Sequence, residues 1–172
     1  MAKKSFSVYG ILGRRVRVDD SYATARKLVR LFRDRILDAD EKGAVALKLS
    51  VADPDGFCTA FGEDSPLAFR EVLRKAYGAS DKPSKVLIDL EQDDARIKAT
   101  MLQAYGQTPE QFESMPYRDV CSYILMSPHE TPMGQAVYYR SAKRPKRTKW
   151  NADEIRRFDK LRRFYKIRSE DG

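Results

Sequence analysis

The sequence predicts a mainly α-helical protein: a small helical domain with a short N-terminal β-hairpin and a basic C-terminal helix. Apolar residues recur at helical spacing in several segments, the start of the chain alternates as strands do, and Lys and Arg are concentrated towards the C-terminus. A length of 172 residues suits one ordinary domain with a basic appendage. We predict a helical domain with its hairpin over 1–142, a basic linker over 143–149, and an amphipathic basic helix over 150–172 docked on the same domain.

The first eighteen or so residues predict two short strands. Alternating apolar residues flank Gly10 and Gly13, and both glycines can take positive φ in a tight turn. A hairpin this small is not a domain by itself, so it should lie on something helical.

A helix over 21–38 is predicted next. Asp20 or Ser21 can N-cap it, because a short side-chain oxygen satisfies an orphan N–H group of the first turn. Apolar residues then recur at i, i+4 and i+8, which is typical of one helix face. These residues are Leu28, Phe32 and Ile36.

The segment 38–51 fits either a strand or a helix. Alternation over 45–51 is typical of a strand, whereas Asp40 before an Ala- and Leu-rich run suits a capped helix. The residues alone favour the strand narrowly. The sequence at 53–56, Asp-Pro-Asp-Gly, predicts a turn, since Pro presets φ and Gly takes the left-handed position.

Capping residues and prolines mark the later helices. Ser65 and Pro66 predict a helix start as N-cap and N1, Gly78 predicts its end, and the polar stretch 79–84 predicts a mobile linker. Similar signals predict a helix from the acids at 91–94 to Gly106, a short one after Thr108-Pro109, one over 117–126, one from Thr131-Pro132 to about Ala142, and a last one capped by Asn151.

The composition argues against most catalytic classes. A Ser-His-Asp triad, a Cys–His pair or a two-histidine metal site would need the single histidine, His129, or more than it. No Gly-rich nucleotide-binding motif occurs. The acids Glu91, Asp93 and Asp94 could ligate a cation, but helix N-capping explains them better. We predict no catalytic residue, no metal site and no cofactor.

Two further features concern the compartment. Cys58 and Cys121 are read as reduced thiols in a cytoplasmic protein, because a chain of this size folds without disulfides. No apolar stretch of about 18 residues occurs, so no membrane span is predicted.

The C-terminal end carries most of the positive charge. Residues 140–168 hold thirteen Lys or Arg and three acids, a balance of +10, so the rest of the chain carries −2 of the net +8. This pattern fits a nucleic-acid interface and equally fits the solvated outer face of a docked helix. The candidate nucleic-acid-binding residues are Arg144, Lys146, Arg147, Lys149, Arg156, Arg157, Lys160, Arg163 and Phe164.

A resemblance covers most of the chain and is most specific over 86–165. The run from Val86 to Asp93, followed by Gln103-Ala104-Tyr105-Gly106, resembles the bacteriophage gene-product-fifteen family of tail-assembly proteins in long-tailed phages. That family has a Val-x-Asp-Phe-x-x-Asp run, a helix ending in Gln-x-Tyr-Gly, a Tyr-Arg or Ile-Arg pair, and a closing charged helix that ends in Tyr. Further counterparts here are Met115-Pro116-Tyr117-Arg118, Thr131-Pro132, Tyr139-Arg140, Lys160-Leu161 and Tyr165. The first of these replaces a tryptophan-rich stretch of typical members.

The resemblance implies a non-catalytic tail assembly chaperone in the host bacterial cytoplasm. Such a protein would bind the phage tape-measure protein, an apolar helical partner, and self-association would also be compatible with it. It further favours a helix over 40–51. An amphipathic helix can lie in an apolar groove, and the residues expected to form one are Tyr117, Val120, Tyr123, Ile124, Met133, Val137 and Tyr138. The alternative is a nucleic-acid-binding protein that uses residues 140–168.

Overall fold

The computed structural model describes residues 6–79 and 86–168 and confirms the predicted fold class. It is mainly helical, with a two-stranded antiparallel hairpin at the N-terminus. The linker predicted over 79–84 lies, apart from Ala79, outside the described residues. The strands are β1 (Ser7–Ile11) and β2 (Arg14–Val18), and the helices are α1 (Tyr22–Arg33), α2 (Ala39–Ser50), α3 (Pro54–Phe61), α4 (Ser65–Tyr77), α5 (Asp94–Tyr105), α6 (Pro109–Phe112), α7 (Tyr117–Leu125), α8 (Pro132–Ser141) and α9 (Ala152–Tyr165).

The chain forms two compact units. The first, here called the hairpin unit, comprises Met1–Pro83 and Pro109–Cys121; the second, the C-terminal unit, comprises Ser84–Thr108 and Ser122–Gly172. The division therefore differs from the predicted one at 142–150. The last helix belongs to the same unit as α5 and α8.

A two-residue turn closes the hairpin. Ile11 pairs with Arg14, and Leu12 and Gly13 between them have φ values of +43° and +81°. Positive φ at both central residues is the geometry that matches the right-handed twist of the strands. Gly10 pairs with Arg15 inside the strands and has no positive φ, so its predicted place in the turn is wrong.

The first helix is shorter than predicted. It ends at Arg33 because the Asp34 carboxylate accepts hydrogen bonds from the backbone N–H groups of Ile36 and Leu37, at 2.7 and 3.0 Å. The chain therefore turns where the apolar periodicity continues. Ile36 is 92% exposed and Phe32 is 47% exposed, so of the three periodic residues Leu28 alone is buried.

Residues 39–50 form a helix, as the resemblance favours. Its cap is Asp38 rather than the predicted Asp40, and Asp38 and Glu41 form a reciprocal capping box. The turn predicted at 53–56 is instead the start of α3. The Asp53 carboxylate accepts the Gly56 N–H at 3.0 Å, and Pro54 occupies the first helical position.

The C-terminal end of α4 is predicted correctly, but its N-cap residue is not. Gly78 ends the helix in the left-handed conformation, at φ +71°. Ser65 makes no cap, since its hydroxyl lies within the helix and donates to the Gly62 carbonyl at 2.6 Å. Gly106 ends α5 in the same left-handed conformation, at φ +63°, as predicted.

The core of the hairpin unit lies between the hairpin, α3 and α4. Apolar side chains of both strands meet those of the helices, which provides the helical surface that a small hairpin needs. The buried members are Ile11, Val16, Val18, Val51, Phe57, Ala68, Val72 and Ala76. Around α1, Tyr22 packs edge-to-face on Phe112 at 5.4 Å, and its N–H donates to the Met115 carbonyl at 2.9 Å.

Candidate functional site

A buried arginine organises the C-terminal unit. The Arg140 guanidinium, on α8, binds both carboxylate oxygens of Asp93 at 2.5 and 2.8 Å. It also donates to the carbonyls of Leu87 at 2.7 Å and Tyr165 at 2.6 Å. Arg140 is buried and Asp93 has no exposed surface, so the pair is removed from water. One side chain thus joins the start of α5, the segment before it and the end of α9.

The acid cluster at 91–94 does not act as predicted. Asp93 stands at the N-cap of α5, yet its side chain makes no cap bond; its carboxylate instead binds Arg140 and, at 2.9 Å, Arg96. The N-capping explanation is therefore wrong for Asp93. Asp94 pairs with Lys98 at 2.8 Å. Within the described ranges, no group of three His, Cys, Asp or Glu side chains could hold a metal ion.

Aromatic stacking fixes the end of α9. Tyr165 stacks on Tyr139 with a centroid distance of 5.6 Å and an interplanar angle of 2°, and its hydroxyl donates to the Gln135 side chain at 2.7 Å. Phe158 packs on the same Tyr139 ring at 5.6 Å. The apolar face of α9 is therefore docked, and its charged face is left to solvent.

The nine residues predicted to bind nucleic acid are all exposed. Two of them form ion pairs: Arg144 binds Asp159 at 2.7 Å, and Arg156 binds Asp153 at 2.5 Å. The hydrogen bond from Arg144 lowers the pKa of the Asp159 carboxyl below its ordinary value. The remaining Lys and Arg among the nine project from the arm 143–149 and from the outer face of α9.

One exposed aromatic residue beside the basic arm is not predicted from the sequence. Trp150 is 95% exposed and follows Lys149 directly. The single tryptophan of the chain, next to a basic run, was the available signal. Asn151 after it stands at the N-cap as predicted, but its side chain accepts the Thr148 N–H at 2.8 Å instead of capping α9.

Two cavities flank α9. The larger has a volume of about 570 Å³ and the smaller about 380 Å³, and Asp159 contributes to both. The larger is lined by Val86, Arg140, Asp159, Arg162, Arg163, Lys166 and Ile167. The smaller is lined by Arg144, Arg147, Ala152, Ile155, Arg156 and Asp159. Arg162 and Lys166 were not among the predicted residues.

The residues predicted to form an apolar groove for a partner differ in how far they are buried. Val120, Ile124 and Met133 have no exposed surface, so they belong to the core and cannot line an open groove. Tyr123 and Tyr138 are 41% and 45% exposed. Tyr117 and Val137 are half-buried. Tyr117 and Val120 belong to the hairpin unit and the other five to the C-terminal unit.

Each exposed tyrosine is supported by a second ring. Tyr123 packs on Tyr105 at 4.8 Å, and the Tyr105 hydroxyl donates to the Tyr123 carbonyl at 2.7 Å. Tyr138 packs on His129 at 4.7 Å. Leu125 and Met126, 51% and 79% exposed, follow Tyr123 closely along the chain. The C-terminal unit therefore presents apolar side chains at its surface.

Both cysteines are free, as predicted. Cys58 is exposed, whereas burial raises the pKa of the half-buried Cys121 thiol. None of the described helices is both long and apolar enough to cross a membrane.

No protein-family model matches this chain, and neither a curated protein nor a solved structure matches it.

Proposed function

We propose that the chain is a non-catalytic phage tail assembly chaperone that binds the tape-measure protein in the host bacterial cytoplasm during long-tail assembly. One observation supports the proposal: residues on which the family resemblance rests are hydrogen-bonded to one another. Asp93, Arg140 and Tyr165 come from three separate motifs and form one buried network. A common structural task explains why Asp and Arg stand at positions 93 and 140, and Tyr165 joins them through its backbone carbonyl.

The surface of the C-terminal unit suits an apolar helical partner. Amphipathic helices are bound through apolar contacts at i, i+3 or i+4 and i+7. Tyr123 and Met126 are both exposed, and Tyr123 is held by Tyr105, so they offer apolar contacts to such a helix. Aromatic residues that are already ordered lose little side-chain entropy on binding.

The test is co-expression with fragments of the tape-measure protein from the same phage genome, followed by a pull-down at low salt and at about 0.5 M salt. At that concentration exposed charges are screened beyond a few ångströms. Retention of a solubilised fragment at both concentrations supports the chaperone, since apolar contacts resist salt. Fragments that stay insoluble and uncaptured in both conditions contradict it.

Exposure of the basic surface favours nucleic-acid binding as a second candidate function. All nine predicted residues are accessible, and exposed Trp150 adds a ring on which a base could stack. Binding of this kind weakens steeply with salt, because each neutralised phosphate releases counterions.

Charge reversal separates the two functions. Arg156→Glu, Arg157→Glu and Lys160→Glu, none of which lines the larger cavity, together should abolish binding of a labelled single-stranded oligonucleotide and leave capture of the tape-measure fragment intact. Wild-type protein that binds the oligonucleotide with no salt dependence would contradict the second candidate.

A further inference from the structure

The larger cavity beside α9 combines positive charge with apolar surface. Val86 and Ile167 line it together with Arg162, Arg163 and Lys166. Val86 is 60% exposed although it is fully apolar. A ligand that fits this lining needs both negative charge and an apolar part.

Among the described residues that line this cavity, the cations exceed the acids. Asp159 is the acidic residue of the lining, and Arg144 already binds it through Nε at 3.0 Å and Nη2 at 2.7 Å. Across residues 6–79 and 86–168, neither Arg162 nor Lys166 has an ion-pair partner. These two positive charges are therefore available to an incoming anion.

We infer that this cavity binds an acidic amphipathic helix of the partner protein, one that carries Glu or Asp beside its apolar stripe. The inference deepens the proposed function and rests on it. The carboxylates would bind Arg162, in the last turn of α9, and Lys166, which directly follows the helix; both line the cavity. The apolar stripe would cover Val86 and Ile167.

A peptide fits this lining better than a nucleic acid does. Sequence-tolerant binding of single strands combines cations with aromatic rings on which bases stack. Of the residues that the structure describes, those in the lining include no aromatic side chain, and both Trp150 and Phe164 lie outside it. Phosphates would satisfy the cations but would leave the apolar contacts unused.

Synthetic peptides test this chemistry directly on the full chain. Two amphipathic helices of about 18 residues share one leucine stripe and carry either Glu or Gln at the flanking positions. We expect the Glu peptide to bind the wild-type protein about tenfold more tightly than the Gln peptide, measured by fluorescence anisotropy. Equal affinity for the two peptides would overturn the inference.

A matched pair of variants locates the site. Arg162→Gln with Lys166→Gln removes two charges from the cavity, and Arg157→Gln with Lys160→Gln removes two charges from exposed positions of α9 outside it. The first variant should lose the preference for the Glu peptide, and the second, which has the same net charge, should keep it. Equal loss in both would mean that general attraction, and not the cavity, selects the peptide.

An oligonucleotide provides the competing outcome. If the cavity variant weakens binding of a labelled single strand and leaves the Glu preference unchanged, the cavity is a nucleic-acid site and the inference is overturned.

Co-expression with tape-measure fragments separates this inference from the proposed function. Capture by the wild type and loss of capture by the cavity variant supports both. Equal capture by the two overturns the cavity inference and leaves the proposed function standing. Capture by neither removes the proposed function and with it the assigned partner, while the peptides still decide what chemistry the cavity binds.

Discussion

Arg140 and Asp93, 47 residues apart in the chain, form a two-point ion pair at 2.5 and 2.8 Å in the interior of the C-terminal unit. The remaining donors of Arg140 bind backbone carbonyls of Leu87 and Tyr165. A planar guanidinium with five fixed donors can serve several acceptors at once, whereas a lysine ammonium cannot match this geometry. The pair therefore specifies how three segments of the unit come together.

Replacement of Arg140 should strongly destabilise the C-terminal unit. Arg140→Met leaves the Asp93 carboxylate buried without the guanidinium that binds it. Removing one member of a buried ion pair lowers the free energy of unfolding by about 3–5 kcal/mol. Arg140→Lys should recover only part of this loss. Urea denaturation followed by circular dichroism measures the change.

The control for this prediction is Arg156→Met, which breaks an exposed pair with Asp153. Exposed pairs contribute about 0–1 kcal/mol, so the midpoint of unfolding should barely move. Equal effects of the two variants would contradict a special role for the buried pair.

The same substitution at two helical glycines should have opposite effects. A Cβ atom at Gly134 would lie 2.1 Å from the Pro128 carbonyl oxygen, which is backbone and cannot move aside easily. Gly134→Ala should therefore destabilise by about 2 kcal/mol or more. At Gly43, in α2, a Cβ would meet nothing within 4 Å, so Gly43→Ala should stabilise by about 0.5–1 kcal/mol. Thermal unfolding of both variants checks the signs, and a shared sign would contradict the prediction.

Local signals in the sequence predicted most elements but not their partners. Gly78 and Gly106 end helices as their conformational freedom indicates, and Thr131 caps α8 by accepting the Gly134 N–H at 3.1 Å. The early end of α1 is not predicted by the apolar periodicity, which continues past it. The helix ends there because the Asp34 side chain accepts a hydrogen bond from the backbone N–H of Ile36. Periodicity also continues through Ile36, which is exposed.

The candidate sites were predictable only where exposure follows from charge. The Lys and Arg of α9 are exposed, as a charged helix face requires. Val120 and Met133, which the sequence predicts as groove residues, are buried, because apolar periodicity cannot separate a core residue from a groove residue. The cavity lined by Arg162 and Lys166 could not be predicted, because Val86, which also lines it, lies far away in the sequence.

The backbone of the hairpin turn is strained at Leu12, and a substitution there can relieve the strain. Leu12 has φ +43°, a conformation that costs an L-residue with a full side chain about 1 kcal/mol and that Asn adopts more readily. Since Leu12 is 46% exposed, Leu12→Asn should raise the free energy of unfolding by about 0.5–1 kcal/mol. Leu12→Ala, which shortens the side chain and keeps the strain, is the control and should bring no comparable gain.

Alkaline pH should destabilise the hairpin unit through three tyrosines. Burial raises the pKa of Tyr9, Tyr77 and Tyr117 well above the ordinary 10.0, and the hydrogen bond to Asp20 raises the pKa of Tyr9 further. Because the folded-state pKa exceeds the unfolded one, their contribution is complete below pH 10 and is lost as the pH rises through the raised values.

A spectrophotometric titration measures this effect. The three phenols should ionise only at higher pH than in the urea-unfolded chain, and Tyr9→Phe should reduce the late-titrating amplitude. Ionisation of every tyrosine at the ordinary value, with unchanged circular dichroism, would exclude the effect.

Exposed tyrosines of the C-terminal unit should contribute to capture of the tape-measure protein. Tyr123 and Tyr138 are both partly exposed and ordered by neighbouring rings, so Tyr123→Ser and Tyr138→Ser should each weaken capture about fivefold with little loss of stability. Ile36→Ser removes a more exposed apolar side chain, in the hairpin unit, and serves as the control. Titration of each purified variant with the solubilised fragment at high salt gives the affinities. An unchanged affinity in both tyrosine variants would mean that the partner binds through other residues, because truncation of an aromatic contact residue at the centre of an interface removes binding energy that rim contacts do not replace.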